Sequence, residues 1–243
     1  MSPTIEILSD KAALIDRAHT VMVTAIKEAI STKGRATVAL SGGSTPRPLY
    51  ASLVKADIPW DKLYVFWGDE RYVPHDHEKS NVRMTRENWL NHVPIPPANV
   101  FAMPTSAGDP MADAANYEET LKKFFQVNDA EWPALDFVLQ GMGDDGHTAS
   151  LFPGTKALAV RDRLITVGNN GTDPRLTFTV PLINQGHKVV FLVSGENKQT
   201  ALSQVFSADA DPHTYPSKFI QPAEGPHWLL DAAAAGGLPD SLK

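Results

Sequence analysis

Apolar residues along the chain follow two alternating spacings, one typical of helices and one typical of short buried strands. Asp10 can cap a helix that ends near Gly34, and the apolar residues of this helix recur at helical spacing: Leu14, Ala18, Val21, Ala25 and Ile26. The short apolar run Thr37–Leu40 comes next and predicts a buried strand.

The same two patterns continue to the end of the chain. Further strands are predicted at Leu63–Trp67, Asn99–Ala102, Asp136–Gln140, Leu164–Val167, Leu176–Val180, Lys188–Val193 and Trp228–Leu230. Further helices are predicted from Pro46 or Pro48, from the cap Ser80 through Leu90, and at Pro110–Phe125, Glu196–Val205 and Ala232–Ala235. This order predicts an α/β fold with a largely parallel sheet and helices on both faces. Ligands of such sheets bind outside the carboxyl ends of the strands, so the loops there are the candidate site.

Composition narrows the class of protein. A chain of 243 residues with 42% hydrophobic residues can bury about 70–75% of its unfolded surface, and we expect residues 1–243 to form a single domain. The net charge of −6 offers no basic field for nucleic acid or an anionic membrane, so an anionic ligand needs a local cluster of cations. The absence of cysteine excludes disulfides, thiolate nucleophiles and cysteine-ligated zinc. With no basic amino-terminal flank and no long apolar run, we expect a soluble cytoplasmic protein.

The most concentrated chemistry lies in residues 141–154, directly after the predicted strand Asp136–Gln140. This segment holds four glycines, two aspartates and His147. Asp145 can hold an imidazole nitrogen of His147, or it can cap the turn through its own backbone. An ordinary strand-to-helix turn and an acidic calcium-type loop fit the same spacing.

A second candidate loop, Ser41–Pro46, joins a predicted strand to a predicted helix. The backbone N–H groups and hydroxyls of Gly42, Gly43, Ser44 and Thr45 can bind an anion at the helix start. The segment lacks the lysine of a Walker loop and the third glycine of a dinucleotide fingerprint. Taken alone, it is more typical of a plain strand-to-helix turn.

Charged residues also follow the other predicted strands. Arg71 offers a planar fork of donors for phosphate or carboxylate, while Asp69 and Glu70 can bind hydroxyls or simply pair with Arg71. Arg175 and Lys198 lie beside strand ends but, as lone residues, are typical of a solvated surface. His75 and His77 have no third metal ligand nearby, so we interpret them as part of a polar loop.

Five segments occur in the order found in 6-phosphogluconolactonases: Ser41–Pro46, Gly68–Pro74, Gly141–Gly154, Arg175–Thr177 and Gly195–Gln199. The chain resembles this family over nearly its whole length. The loop that contains His147 is the most specific match, whereas the Ser41 loop is shared with glucosamine-6-phosphate deaminases and ribose-5-phosphate isomerases.

The resemblance implies a modified Rossmann-like sheet and the hydrolysis of 6-phospho-D-glucono-1,5-lactone to 6-phosphogluconate, a step of the oxidative pentose phosphate pathway, with no metal and no cofactor. His147 would take a proton from water and return it to the ring oxygen, with Asp145 orienting the imidazole. Asp144 falls at a variable position and is not expected to orient it. Substrate would be bound by Gly42, Gly43, Ser44, Thr45, Asp69, Arg71, Arg175 and Lys198. The expected partner is this small molecule alone, and the expected state is a monomer or small homo-oligomer.

Two alternative functions stay open. A phosphosugar isomerase or deaminase shares the fold, but the deaminase pattern has a glutamate after the histidine loop, where this chain has Phe152–Pro153. An apolar ring cannot relay a proton, which favours the lactonase. A non-catalytic phosphosugar sensor would accompany a DNA-binding segment, and the sequence has no evident helix-turn-helix or basic region.

Overall fold

The computed structural model describes residues 2–242. Within this range the strands are β1 (Thr4–Leu8), β2 (Ala36–Leu40), β3 (Leu63–Trp67), β4 (Asp69–Arg71), β5 (Phe137–Gln140), β6 (Ile165–Asn169), β7 (Pro174–Phe178), β8 (Lys188–Val193) and β9 (His227–Asp231). The α-helices are α1 (Lys11–Lys33), α2 (Arg47–Leu53), α3 (Asn81–Asn88), α4 (Pro110–Phe125), α5 (Val180–Asn184), α6 (Gln199–Val205) and α7 (Ala232–Ala235). Short 3₁₀-helices lie at Trp60–Lys62, Leu90–His92, Pro97–Asn99, Lys156–Ala159, Glu196–Lys198, Pro216–Phe219 and Asp240–Leu242.

Six parallel strands form the central sheet in the order β1-β9-β8-β5-β2-β3. Strands β2 and β5 are buried along their whole length, as expected of strands covered on both faces. The predicted α/β fold with a largely parallel sheet is therefore confirmed.

Helices cover both faces of this sheet and produce two hydrophobic cores. On one face, α1, α2 and α3 pack against alternate strand residues, with Met22 and Val38 among the fully buried side chains. On the other face, α4 to α7 pack with Tyr117, Phe191 and Trp228. None of the helices within residues 2–242 is both long and apolar enough to span a lipid bilayer.

A separate three-stranded antiparallel sheet, β4-β7-β6, lies on the α4 side of the molecule. Residues 69–71, which the sequence predicts to be loop, form its strand β4, so that prediction is wrong. A strand of three charged residues carries no apolar alternation, and only its pairing with β7 makes it a strand.

Helix ends follow the predicted capping chemistry. The Asp10 side chain accepts a hydrogen bond from the Ala13 N–H at 2.9 Å, and Gly34 ends α1 with a φ of 75°. Ser80 caps α3 in the same way, through the Arg83 N–H at 3.1 Å. These local signals explain why the starts of α1 and α3 were predictable.

Three further predictions differ from the structure. Strand β1 has no counterpart among the predicted elements, because it is a short, only partly buried edge strand. The strand predicted at Asn99–Ala102 is wrong: a 3₁₀-helix ends at Asn99, and only Val100 bridges to Val65. The strand predicted at Leu176–Val180 ends at Phe178, because α5 begins at Val180 with Pro181 in its first turn.

Candidate active site

A cleft of about 240 Å³ lies at the carboxyl ends of β2, β3, β5 and β8, where the predicted loops meet. Nine of the ten predicted site residues line it: Gly42, Gly43, Ser44, Thr45, Asp69, Arg71, His147, Arg175 and Lys198. The tenth, Asp145, contacts His147 directly. Parallel pairing brings these loops together, because it places the carboxyl ends of all the strands at one edge.

His147 and Asp145 form the central pair of the cleft. Asp145 Oδ1 lies 2.6 Å from His147 Nδ1 and accepts the His147 backbone N–H at 3.0 Å. Burial raises the pKa of Asp145, but the hydrogen bonds from His147 lower it by more, so the carboxyl has a pKa below its usual value. An ionised carboxylate can only accept, so Nδ1 carries a proton, and in the neutral imidazole the lone pair lies on Nε2.

Gly143 leaves space for this pair because it has no Cβ atom. A Cβ added to Gly143 would lie 2.1 Å from His147 Nδ1 and 2.6 Å from Asp145 Oδ1. The Gly143 N–H also donates to the His147 carbonyl at 2.8 Å, which closes the turn. Ser217 braces the turn from outside, because its N–H and hydroxyl both donate to the Gly146 carbonyl.

The loop after β2 presents free backbone donors to the cleft. The N–H groups of residues 42–45 form no hydrogen bond to any other part of residues 2–242. Gly43 has a φ of 99°, a conformation that favours glycine. Tyr50 fixes the start of the loop, since its hydroxyl donates to the Ser41 carbonyl at 2.6 Å and accepts the Ser41 N–H at 3.1 Å. Four adjacent N–H groups without acceptors suit an anion.

Asn81, which the sequence does not single out, packs behind this loop. Its Nδ2 donates to the Asp69 carbonyl at 2.9 Å, whereas its buried Oδ1 has no hydrogen-bond partner. A Cβ on Gly42 would lie 1.9 Å from that Oδ1, so the side chain of Asn81 requires glycine there. No sequence signal identifies Asn81, because its place depends on how α3 packs against β4.

The two acidic residues of β4, Asp69 and Glu70, have different roles. Glu70 is fully buried and accepts hydrogen bonds from four groups at the start of α3 and in β4: Ser80 Oγ and the backbone N–H groups of Arg71, Asn81 and Val82. Burial raises the pKa of Glu70, although these donors oppose the rise. Asp69 lines the cleft and accepts from Ser150 Oγ at 2.7 Å. Neither carboxylate forms an ion pair with the guanidinium of Arg71, so structural pairing does not explain that arginine.

Arg71 and Arg175 are neighbours across β4 and β7, where their Cα atoms are directly paired. The Arg71 guanidinium donates to the Lys79 carbonyl at 2.7 Å, and the Nε atoms of both arginines are buried without a hydrogen-bond acceptor. Burial and repulsion from Arg71 lower the pKa of Arg175. An anion in the cleft would relieve this repulsion.

Lys198, the third cation of the cleft, is paired with Asp144. Asp144 Oδ1 accepts from Lys198 Nζ and, at 2.8 Å, from Asn197 Nδ2. Both donors lower the pKa of Asp144. Asp144 therefore contacts Lys198 rather than the imidazole, and it joins the His147 loop to the segment that follows β8.

The two loop histidines have other contacts. His75 Nε2 lies 2.8 Å from the Met103 carbonyl, and His77 Nδ1 accepts the Lys79 N–H at 3.1 Å. In the described part of the chain, no three His, Asp or Glu side chains are grouped closely enough to hold a metal ion.

Comparison with known proteins identifies relatives of the whole chain. The family model described as glucosamine-6-phosphate isomerases/6-phosphogluconolactonase matches residues 9–228. The 6-phosphogluconolactonase of Synechocystis sp. is 55% identical over 238 residues, which cover 98% of this chain and 99% of the relative. The Mycobacterium tuberculosis enzyme of the same name is 37% identical over 248 residues, covering 98% of this chain and all of the relative.

A solved structure gives the same result. The 6-phosphogluconolactonase of Trypanosoma brucei superposes with a TM-score of 0.84 at 32% identity, covering 98% of this chain and 99% of the other. The fold, the family model and the full-length relatives agree. The chain therefore belongs to the glucosamine-6-phosphate isomerase/6-phosphogluconolactonase family.

Proposed function

We propose that this protein hydrolyses 6-phospho-D-glucono-1,5-lactone to 6-phospho-D-gluconate, with His147 as the base that activates water. The observation that carries this proposal is that one cleft combines the hydrogen-bonded pair His147–Asp145 with the unpaired cations Arg71 and Arg175. The full-length likeness to proteins named 6-phosphogluconolactonase supports the same substrate.

The arginine pair and the loop of residues 42–45 are the proposed phosphate site. Together they supply two guanidinium groups, each with a buried Nε that lacks an acceptor within residues 2–242, and four backbone N–H groups that also lack acceptors there. Arginine binds phosphate through paired, charge-assisted hydrogen bonds. Lys198 adds a third cation, although the phosphate must compete with Asp144 for its ammonium group. This local cluster overcomes the net charge of −6.

The imidazole then activates a water molecule for attack on the lactone carbonyl. Nε2 of His147 takes a proton from a water molecule as the water oxygen attacks C1, which produces a tetrahedral oxyanion among the cations of the cleft. When the intermediate collapses, the bond between C1 and the ring oxygen breaks. The imidazolium returns its proton to that oxygen, which becomes the C5 hydroxyl, and the new carboxylic acid loses its proton to solvent.

The geometry around His147 favours the lactonase over an isomerase or deaminase. Phe152 lies next to the imidazole, with the ring centroids 4.5 Å apart. A reaction that moves protons between sugar carbons needs an additional acid or base at such a position, and phenylalanine supplies none. Hydrolysis needs only one proton carrier, because water is the nucleophile.

The test is the rate at which freshly prepared 6-phosphogluconolactone disappears in excess of its spontaneous opening. We expect His147→Ala to lower kcat by about 10² or more while calorimetry shows unchanged binding of 6-phosphogluconate. Glucosamine 6-phosphate and ribose 5-phosphate are run in parallel. Near-normal turnover by the variant would remove His147 from the mechanism, and turnover of either sugar phosphate in place of the lactone would overturn the proposed substrate.

A further inference from the structure

Among residues 2–242, Phe152 is the one side chain whose ring contacts both the imidazole of His147 and the guanidinium of Arg175. Its ring centroid lies 4.5 Å from that of His147, with 45° between the ring planes. The guanidinium carbon of Arg175 lies 5.2 Å from the same Phe152 centroid. The phenyl ring itself is buried, with 7% of its surface exposed.

We propose that Phe152 is a positioning residue that fixes the guanidinium of Arg175 and the imidazole of His147 relative to each other. This inference rests on the proposed function, because it assigns Arg175 to the phosphate and His147 to the lactone carbonyl. The two groups must act on one sugar, so their separation has to match the substrate.

The contact with Arg175 stabilises a cation without using its donors. The negative face of an aromatic ring attracts a guanidinium, and the attraction grows when the cation is desolvated. A carboxylate in this place would occupy N–H groups, as Asp144 does at Lys198, and would repel the incoming phosphate. Burial and Arg71 both lower the pKa of Arg175, so this cation needs support. Phe152 gives that support and leaves the guanidinium available to the ligand.

The contact with His147 restricts the imidazole in a similar way. The phenyl ring has no hydrogen-bonding atom, so it cannot compete with Asp145 for Nδ1 or with water for Nε2. It limits rotation of the imidazole by packing alone. A flexible aliphatic side chain at position 152 would fill part of the volume but would not define the same plane.

The chain offers a matched control in a similar group of three residues outside the cleft. The guanidinium carbon of Arg161 lies 5.6 Å from the Phe219 centroid, and the His213 ring lies 5.1 Å from it. These three residues do not line the cleft. Phe219→Leu therefore removes the same kind of ring from the same kind of neighbours without touching the site.

The experiment compares Phe152→Leu, Phe152→Tyr and Phe219→Leu on 6-phosphogluconolactone and on unphosphorylated glucono-1,5-lactone. For Phe152→Leu we expect KM for the phosphorylated lactone to rise about tenfold and kcat to fall about tenfold. On the unphosphorylated lactone only kcat should fall. Phe152→Tyr keeps the ring and should restore both constants to within about threefold of wild type, and Phe219→Leu should leave both unchanged.

A double variant separates positioning from loss of fold. If Phe152 acts on KM through Arg175, adding Phe152→Leu to Arg175→Met should raise KM little further. Calorimetry with 6-phosphogluconate tests the same coupling without turnover, so it reports on Phe152 even if the lactone proves not to be the substrate. The inference is overturned if Phe152→Leu changes KM and product affinity no more than Phe219→Leu, or if its KM effect adds fully to that of Arg175→Met.

Discussion

Arg71 and Arg175 are directly opposite residues of two antiparallel strands, and within residues 2–242 neither guanidinium forms an ion pair. Like charges at such positions destabilise a sheet, because the side chains project from the same face. The Nε atoms of both are also buried without acceptors, which adds a desolvation cost. This unfavourable arrangement becomes favourable when a dianion lies between the two groups.

Replacing either arginine with glutamine should weaken phosphate binding. For Arg71→Gln and Arg175→Gln we expect KM for 6-phosphogluconolactone to rise roughly 10- to 100-fold, because each variant loses one or two charge-assisted hydrogen bonds to the phosphate. The change in kcat should be much smaller. Both variants should hydrolyse unphosphorylated glucono-1,5-lactone at the wild-type rate. Thermal melting should show no loss of stability, because each variant removes a repulsion. Equal losses on both lactones would contradict a phosphate role.

Asp144 should oppose phosphate binding because it adds a negative charge beside Lys198 Nζ, and Lys198 lines the cleft. Asp144→Asn keeps the shape of the side chain and removes that charge. We expect KM for the phosphorylated lactone to fall about twofold and to rise more steeply with salt than in wild type, because the site gains net positive charge. Steady-state kinetics at two ionic strengths provide the measurement, with Asp129→Asn, an exposed carboxylate that also pairs with a lysine, as the control. A raised KM would mean that Asp144 instead holds Lys198 in place for the ligand.

Asp145→Asn should lower kcat by about 10² or more, because an amide can donate to Nδ1 and stabilise the tautomer that lacks a lone pair at Nε2. The pKa of Asp145 lies below its usual value, so the wild-type carboxylate stays ionised throughout pH 6–9. The wild-type carboxylate therefore remains an acceptor for Nδ1 across this range, and steady-state kinetics of both proteins at one fixed pH provide the measurement. A near-normal kcat in Asp145→Asn would contradict the orienting role of Asp145.

Gly143→Ala should disable the base without unfolding the protein. The new methyl group would lie 2.1 Å from His147 Nδ1, so the imidazole must move away from Asp145. We expect kcat to fall at least about tenfold, since misplacement of a catalytic group by about 1 Å is costly. Gly68→Ala is the matched control, because its methyl group would meet neighbouring atoms only at an ordinary 3.5 Å. Normal kcat in the Gly143 variant would place the imidazole elsewhere during turnover.

Acid should destabilise the protein partly through His227, far along the sheet from the cleft. Burial lowers the pKa of His227, although its hydrogen bond to Glu6 at 2.8 Å opposes the effect. As the pH falls through about 6.5, the unfolded chain takes up a proton that the folded chain accepts only at lower pH, so the free energy of unfolding falls. Melting temperatures between pH 7.5 and 5.5 should decline less for His227→Gln than for wild type. The exposed His77→Gln variant should retain the full decline, and an unchanged slope in His227→Gln would exclude this residue as the cause.

Periodicity and capping made most of the fold predictable. Strands β3 and β8 and helix α4 begin and end where the sequence pattern predicts, because long apolar runs and strong caps such as Asp109 are local signals. Strand β4 was not predictable in this way. Its three charged residues become a strand only because β7, more than a hundred positions later in the sequence, supplies the pairing partner.

The residues of the candidate site also divide into those that local motifs identify and those that only long-range packing places. Residues such as His147 and Gly43 belong to motifs that can be read along the chain, and the spacing of Asp145 from His147 was sufficient to suggest their contact. The contacts of Asp144, Asn81 and Phe152 join segments or orient rings in space, and no spacing along the chain encodes them.

The sequence by itself determined the alternating α/β order, the loops that carry the chemistry and the identity of the groups in them, because short-range periodicity, capping and motif spacing are local properties. Only the tertiary structure decided which of those groups remain without partners. Parallel pairing brought four loops to one edge of the sheet, and the antiparallel sheet set Arg71 against Arg175 while Glu70 turned away to cap α3. Whether a charge is paired depends on which distant segment packs against it, and this long-range packing leaves Arg71 and Arg175 without an ion-pair partner within residues 2–242.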